Sequence, residues 1–258
     1  LAVQGIKVIF KKELADHFSS YRFVIIFAMI AMISLITAYM VGLNIRQQLE
    51  GVAKPRFIFL MLFTAPGAMF SLAQFVAFFG PLVGLILGFD TINRERNEGT
   101  LSKLLSQPIY RDTVINGKFL AGVAMITVMM VSIVLVITGL GLIILGIVPG
   151  VEELWRIFIY LIISIIYISL WLGIAILFSI IFRSTATSAL AALAVWIFFS
   201  FFVSIGANIL ANALTPQAGA ADADEILWRA KVVKAFTLTS PMELYTDATA
   251  TIIDPMRK

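Results

Sequence analysis

Five long stretches of this chain contain no charged side chain, and they restrict the possible folds more than any other feature. They cover residues 23–45, 57–89, 119–151, 157–182 and 184–221. A helix rises about 1.5 Å per residue and the hydrocarbon core of a bilayer is about 30 Å thick, so each stretch is long enough to span it. Runs such as VMMVSIVLVITGLGLIILGIV are apolar on every side, unlike the alternating strands of a membrane barrel. The sequence therefore predicts an all-α, polytopic transmembrane helical bundle.

Composition supports a lipid environment. Hydrophobic residues make up 60% of the 258 residues and charged residues only 13%, which is too little polar surface to coat a soluble domain. The net charge of +4 comes from basic residues scattered at the edges of the apolar stretches, so no nucleic-acid partner is expected. The absence of cysteine excludes disulfides and thiol nucleophiles.

Prolines, glycines and charged residues divide the chain into spans and flanking segments. We predict spans at 23–45, 68–89, 119–147, 157–182 and 186–212. Pro55, Pro66 and Gly67 interrupt the region before the second span, so residues 57–63 are predicted to form a separate short piece. Residues 1–22 are predicted to lie along the inner leaflet as an amphipathic helix. Its apolar residues recur at helical spacing and its charged residues occupy the other faces: Ile6, Ile9, Phe10, Leu14 and Phe18 against Lys7, Lys11, Lys12 and Glu13.

The distribution of basic residues predicts the orientation. Basic residues are concentrated before the first span and between the second and third: Lys7, Lys11, Lys12, Arg22, Arg94, Arg96, Lys103, Arg111 and Lys118. By the positive-inside rule these segments face the cytoplasm, which predicts a multi-pass protein of the cell (plasma) membrane with its amino terminus inside. Residues 213–258 are then extracytoplasmic. They contain a predicted amphipathic helix at 221–236 and lead toward a sixth span, which we expect to follow residue 258.

Side chains suited to chemistry are scarce. No charged residue falls inside a predicted span, which disfavours an ion-coupled carrier. His17 is the single histidine, so a packed or solvated role is favoured over a metal site. The ten methionines include soft ligands that Cu(I) accepts, but methionine is also an ordinary packing residue, and packing is favoured. We predict no catalytic residue, metal site or cofactor site in the chain.

A stripe of small residues marks the second predicted span. Gly80, Gly84 and Gly88 form two overlapping GxxxG steps, with Pro81 beside the first. Such stripes allow close helix approach, so intrachain packing is favoured. The alternative is that this stripe, with a kink at Pro81, lies where helices move during transport.

The most specific segment lies between the second and third spans. Leu101, Leu104 and Leu105 follow helical spacing, which predicts a short helix over about 98–107 with a leucine face, ended by Pro108. A short amphipathic helix between two spans suits docking in a groove of a soluble partner. A helix resting on lipid headgroups would have the same periodicity.

The residues of this segment resemble a known family pattern. The pattern is carried by Asp90, Glu95, Glu98, Gly99, Thr100, Leu101, Leu104, Leu105, Pro108, Ile109, Arg111, Gly117 and Lys118. It is similar to ABC-2 type transporter permeases, especially the NosY-like branch. The resemblance implies an inner-leaflet helix, six spans, and a coupling helix within residues 90–118 that contacts a cytosolic ATPase. The implied ATPase-facing residues are Glu98, Gly99, Thr100, Leu101, Leu104 and Leu105, flanked by Arg94, Glu95 and Arg111.

The resemblance also implies partners. No glycine-rich P-loop is present, so ATP and magnesium are expected on a separate P-loop ATPase subunit. A second permease copy or a homologous permease would complete a dimer, and export would be the direction. The outward tail either contacts an extracytoplasmic partner or caps the helix bundle. Two other classes remain: an ATPase-independent channel or carrier, and a membrane scaffold that transports nothing.

Overall fold

The computed structural model describes residues 2–48, 57–64, 71–100, 110–214 and 223–253. These residues form helices and connecting turns, without a strand. The helices are α1 (Ala2–Phe18), α2 (Tyr21–Gln48), α3 (Ile58–Thr64), α4 (Leu72–Gly88), α5 (Asn93–Asn97), α6 (Arg111–Leu145), α7 (Val151–Ile181), α8 (Thr185–Ile197), α9 (Val203–Leu214), α10 (Ala223–Thr237) and α11 (Pro241–Ile253); a π-helical segment, Phe198–Phe202, joins α8 to α9.

Within the described part, five helical stretches are long and apolar enough to cross a membrane. They are Tyr21–Gln47, Leu72–Asn97, Arg111–Leu145, Val151–Ile181 and Thr185–Ala213. The all-α polytopic bundle expected from the charge-free stretches is therefore confirmed. The prediction of a separate short piece before the second span is also confirmed, since α3 is a buried helix of seven residues.

The helices that contain the third and fourth predicted spans begin before them, because a charged side chain does not end a helix. The helix of the third predicted span begins at Arg111, eight residues before 119, and that of the fourth begins at Val151, six residues before 157. At the start of α7 the Glu153 carboxylate accepts the Gly150 N–H at 2.8 Å, which satisfies a free amide of the first turn. The second span begins at Leu72, where Ser71 and Gln74 form a reciprocal capping box.

The glycine stripe packs α4 against α7. A Cβ on Gly84 would lie 2.6 Å from the Ile168 carbonyl oxygen, and one on Gly88 would lie 2.7 Å from the Ala175 Cβ. These distances are too short for any side chain, so the glycines allow backbone contact between the second and fourth spans. Gly80 lies against Ile168 in the same way, with 3.0 Å to its Cγ1.

Pro81 lies inside α4, where its ring nitrogen has no hydrogen to give the Ala77 carbonyl. The Tyr167 hydroxyl of α7 donates to that carbonyl at 2.7 Å instead. A neighbouring helix therefore supplies the donor that proline removes, which is how proline is tolerated within a span.

The segment after the fifth span folds back onto the bundle. The predicted amphipathic helix at 221–236 corresponds to α10, which packs against α9, and α11 then packs against α3, α4 and α7. The Tyr245 ring of α11 stacks on Tyr167 at 4.4 Å between centroids, and Arg156 donates to the Ile252 carbonyl at 2.8 Å. The expected sixth span would follow residue 258 and stays a prediction.

Candidate functional site

Four charged side chains meet where α1, α5 and α6 come together, and we call Lys12, Glu13, Glu95 and Lys118 the ion cluster. The Lys118 Nζ lies 2.7 Å from Glu13 Oε1 and 2.8 Å from Glu95 Oε1. The Lys12 Nζ approaches the same two oxygens at 3.1 Å and 3.5 Å. The side chains of Lys118, Glu13 and Glu95 are at most 10% exposed, whereas Lys12 is 52% exposed, so the cluster is buried on three members and reaches the surface at Lys12.

Local sequence explains why α1 reaches the cluster. Gly117 precedes Lys118, and a Cβ on Gly117 would lie 2.8 Å from the Ile9 Cγ2. The missing side chain lets α1 lie directly on the first turns of α6, and Glu13 follows Ile9 by one helical turn. Glu13 was expected on the polar face of an inner-leaflet helix. It is buried instead, because the Lys118 ammonium faces α1 at this point.

The paired charges favour the ionised forms of Glu13 and Lys12. Burial acts to raise the pKa of the Glu13 carboxyl, but the Lys118 and Lys12 ammonium groups outweigh it and lower that pKa below its usual 4.5. Burial acts to lower the pKa of Lys12, yet Glu13, Glu95 and Asp16 raise it above 10.5. At neutral pH both pKa shifts favour the charged forms of these two side chains.

A cavity of about 460 Å³ lies beside the ion cluster. Its wall includes His17, Arg22, Asp90, Arg94 and the apolar Phe23 of α2. Arg22 and Asp90 form an ion pair across the cavity, which links the start of α2 to the residues after α4. Burial lowers the pKa of His17 below 6.5, so its imidazole is neutral at physiological pH.

Residues 90–118, which we call the coupling segment after the role that the resemblance implies, are attached at their beginning to the end of the fourth span and the start of the fifth. The Ser179 hydroxyl oxygen of α7 accepts the N–H groups of Ile92 and Asn93 at 3.0 Å and 3.2 Å, which satisfies free amides at the start of α5. Arg96 donates to the Phe182 carbonyl and Asn97 to the Thr185 hydroxyl, each at 3.4 Å. The segment is therefore held from two directions, by the ion cluster and by the α7–α8 turn.

The structure separates the residues that the resemblance implied for ATPase contact. Arg94 and Glu98 are exposed and form an ion pair at 3.0 Å, and Arg111 is exposed at the start of α6. Glu95 points the other way, with a side chain 9% exposed and held by Lys118. The Thr100 hydroxyl donates to the Glu95 carbonyl at 3.2 Å. Leu101, Leu104 and Leu105 lie outside the described residues.

Glu98 and Gly99, the first two residues of the helix predicted over about 98–107, are not helical in the structure. Glu98 and Gly99 form a turn, and Gly99 has φ of 69°, in the left-handed region where glycine is unstrained. Among the described residues, the neighbours in the chain aside, no atom lies within 4 Å of a Cβ placed on Gly99, so the backbone conformation is the reason that the structure shows for a glycine here.

Sequence reasoning did not predict the contacts that Glu13, Lys118 and Ser179 make at this site. Lys118 was counted as a loop charge because the charge-free stretch begins at residue 119. The usable signal was the Gly117–Lys118 pair at the start of a span, where a small residue permits a close neighbour for the lysine. Ser179 carried no signal, since a serine within a span usually bonds to its own helix.

The charged groups of this site attach helices to one another rather than form a site for a reaction. Among the described residues no group of three His, Asp or Glu side chains is arranged to hold a metal ion. What the site does provide is a set of charge-assisted hydrogen bonds that join α1, Glu95 and α6. Neutral hydrogen bonds from the Ile92 and Asn93 N–H groups to the Ser179 hydroxyl add the attachment to α7.

Comparison with known proteins identifies the family. A search of curated proteins found no match to the chain. The model of a family described as ABC-2 family transporter protein matches residues 7–257. The chain therefore belongs to the ABC-2 family of transporter proteins, the multi-pass membrane permeases of ABC transporters.

Proposed function

We propose that this chain is the permease subunit of an ABC exporter in the cell membrane, with its amino terminus in the cytoplasm. A separate cytosolic P-loop ATPase, which carries ATP and magnesium, drives it through residues 90–118. A second copy or a homologous permease completes the path, and the extracytoplasmic tail is available to a partner. The assignment to the NosY-like branch rests on the sequence of the coupling segment.

The attachment of the coupling segment is the observation that carries this proposal. A force applied at the exposed Arg94–Glu98 surface would reach α1 and α6 through Glu95 and Lys118. The same force would reach α7 through Ser179 and the start of α8 through Asn97. Because paired buried charges and satisfied amides resist separation, these helices would move with the segment. An ATPase that pulls on one short surface would then displace three spans.

Co-purification with designed variants tests the proposal. The full chain would be tagged in its native membrane, solubilised gently, and assayed for co-purifying proteins and ATP hydrolysis. We expect a stoichiometric P-loop ATPase that is lost on Glu98→Arg combined with Leu104→Asp, since both changes fall on the implied contact. The matched control is Lys231→Glu combined with Leu227→Asp on α10, an equivalent change at exposed positions of the tail.

The outcomes separate the three functional classes. Loss of the ATPase in the first double variant, with retention in the control, supports the coupled permease. A chain that purifies alone, without nucleotide hydrolysis, supports an ATPase-independent channel or a scaffold. Flux in reconstituted vesicles then distinguishes those two.

A further inference from the structure

One carboxylate oxygen of the ion cluster has no hydrogen-bond partner among the described residues. Glu95 Oε1 accepts a hydrogen bond from the Lys118 ammonium at 2.8 Å, whereas Oε2 of the same carboxylate is buried without a donor in the described part of the chain. The Glu95 side chain is 9% exposed and lines the cavity of about 460 Å³ beside the cluster. A buried carboxylate oxygen without a donor is costly, so it indicates a ligand that brings an N–H or O–H group.

The charges around this cavity favour a cation as the ligand. The described lining residues include four lysine and arginine side chains against five carboxylates, which are Glu13, Asp16, Asp90, Glu95 and Glu98. Each of the four cations is already ion-paired with one of these carboxylates. An added anion would have to compete for cations that are in use, whereas an added cation would meet an excess of negative charge.

A primary ammonium fits the unpartnered oxygen better than other cations do. No group of three His, Asp or Glu side chains in the described residues is arranged to hold a metal ion. A primary ammonium carries three N–H donors, so it can satisfy Glu95 Oε2 directly. A quaternary ammonium has no N–H and would leave that oxygen without a hydrogen bond.

The other wall of the cavity is apolar and belongs to two spans. Phe23 and Ile26 lie near the start of α2, and Ile86 and Leu87 lie near the end of α4. The Ile86 side chain is 38% exposed, so the apolar wall continues to the outer surface of the bundle. A charged cavity at the ends of two spans, joined to an apolar wall, fits a membrane lipid with its headgroup in the cavity.

The phosphate of such a lipid would find donors at the same cavity. Arg22 and Arg94 are lining residues with side chains 63% and 67% exposed. A guanidinium carries five N–H donors, so it can bind a carboxylate and a phosphate oxygen together. The cavity has room for about fifteen waters at roughly 30 Å³ each, which is more than a phosphoethanolamine group displaces.

We propose that this cavity binds one amine-bearing phospholipid of the phosphatidylethanolamine class, from the leaflet on the side of the coupling segment. Its ammonium donates to Glu95 Oε2, its phosphate faces Arg22 and Arg94, and its acyl chains leave along Ile26 and Ile86. The site depends on the cavity and the spans and not on an ATPase. Only the naming of that leaflet as the cytoplasmic one rests on the proposed function.

Binding of defined lipids tests the headgroup. The full chain is purified in detergent, freed of native lipid, and titrated with dioleoyl phosphatidylethanolamine or with its choline and glycerol counterparts. Soluble phosphoethanolamine is titrated in parallel, and bound ligand is counted by native mass spectrometry. We expect one ethanolamine lipid per chain, with an affinity about tenfold or more above that of the other two lipids, because neither of those headgroups carries an N–H donor.

A single substitution tests the role of Glu95. Glu95→Gln should reduce the affinity for the ethanolamine lipid to that for the choline lipid, because the amide removes the charge that attracts the ammonium. The matched control is Asp112→Asn, which removes an exposed carboxylate at the start of α6, within the coupling segment, and should leave binding unchanged.

A second substitution leaves the ion cluster intact and decides the result if Glu95→Gln does not assemble. Ile86→Trp narrows the apolar wall and should weaken binding of the ethanolamine lipid. Its control is Ile143→Trp in α6, where the side chain is 81% exposed and the larger ring has room.

Several results would overturn the proposal. Equal affinity for the ethanolamine and choline lipids would do so, and so would a preference for the glycerol lipid or an equal loss of binding in Glu95→Gln and Asp112→Asn. Phosphoethanolamine that binds as tightly as the whole lipid would retain an ammonium site but overturn the lipid as its ligand. These results are independent of ATPase co-purification, so a failure here is distinguishable from a failure of the proposed function.

Discussion

Lys118 holds its ammonium between two carboxylates, Glu13 from α1 and Glu95 from α5, with almost no exposure to solvent. Removing one partner of a buried ion group typically costs about 3–5 kcal/mol, but here the half-exposed Lys12 stays beside both carboxylates and offsets part of that cost. We therefore expect Lys118→Met to lower the free energy of unfolding by about 3 kcal/mol, the low end of that range, measured by denaturant titration in detergent.

The matched control for Lys118 is an exposed pair on the same segment. Arg94 and Glu98 are 67% and 52% exposed, so Arg94→Met should cost less than about 1 kcal/mol. Replacing Glu13 and Glu95 with glutamine in the Lys118→Met background should recover part of the loss. An equal cost for Lys118→Met and Arg94→Met would contradict the buried cluster.

His17 makes the same region sensitive to acid. Burial lowers its pKa most, Lys118 lowers it further, and Glu13, Asp90 and Asp16 act in the opposite direction. The unfolded chain therefore binds the proton more readily, so stability falls as the pH drops below 6.5 toward the lowered pKa. The Glu13 contribution is lost only below 4.5, as the pH falls through its own lowered pKa.

Melting temperatures between about pH 7 and 5.5 isolate the histidine from the carboxylates. The wild-type protein should lose stability over this interval, and His17→Gln should lose markedly less. Parallel pH profiles for the two proteins would show that His17 is solvated rather than buried.

At the scale of elements, the contact between α4 and α7 depends on glycine. Gly84→Ala would place a Cβ 2.6 Å from one backbone atom and 2.8 Å from another, so the helices must separate. We expect destabilisation of about 1–3 kcal/mol, as for other overpacked sites. Gly139→Ala in α6 is the control, because no other atom lies within 4 Å of its added Cβ. That change should be neutral or stabilise by up to about 1 kcal/mol, since alanine favours helix. Thermal unfolding in detergent measures both, and the same sign for both would refute the close contact.

At the scale of the whole molecule, the hairpin after the fifth span is closed onto the bundle at its far end by Arg156. Its guanidinium donates to the Ile252 carbonyl at the end of α11, pairs with Glu152 and lies over the Phe57 ring. A hydrogen bond from a charged group is worth about 1.5–3 kcal/mol, so Arg156→Met should raise hydrogen exchange of the α11 amides by roughly tenfold or more. Lys234→Met, which removes an exposed pair on the same hairpin, should leave that exchange within about threefold of wild type. Equal exchange in both variants would mean that Arg156 does not hold the hairpin.

The glycine stripe illustrates what a pattern in one dimension can predict. Gly80, Gly84 and Gly88 share a helix face in any helix, so a close neighbour was expected, but no pattern named α7 as that neighbour. The same holds for Pro81, whose missing donor was evident while the replacement, Tyr167, is remote along the chain. Periodicity along the sequence predicts which residues share a helix face. Which helices pack against each other is decided only by the fold.

The sequence by itself determined the number and type of the spanning helices and the short helix α3. The reason is that a bilayer accepts only long apolar helices or closed barrels, and charge-free length is a local property. Only the tertiary structure decided that Lys118 and Glu13 are buried partners, that Glu95 faces inward, and that α11 returns to the bundle. These depend on residues as far apart as Glu13 and Lys118, whose charges are tolerated in the interior because folding places opposite charges within hydrogen-bond distance.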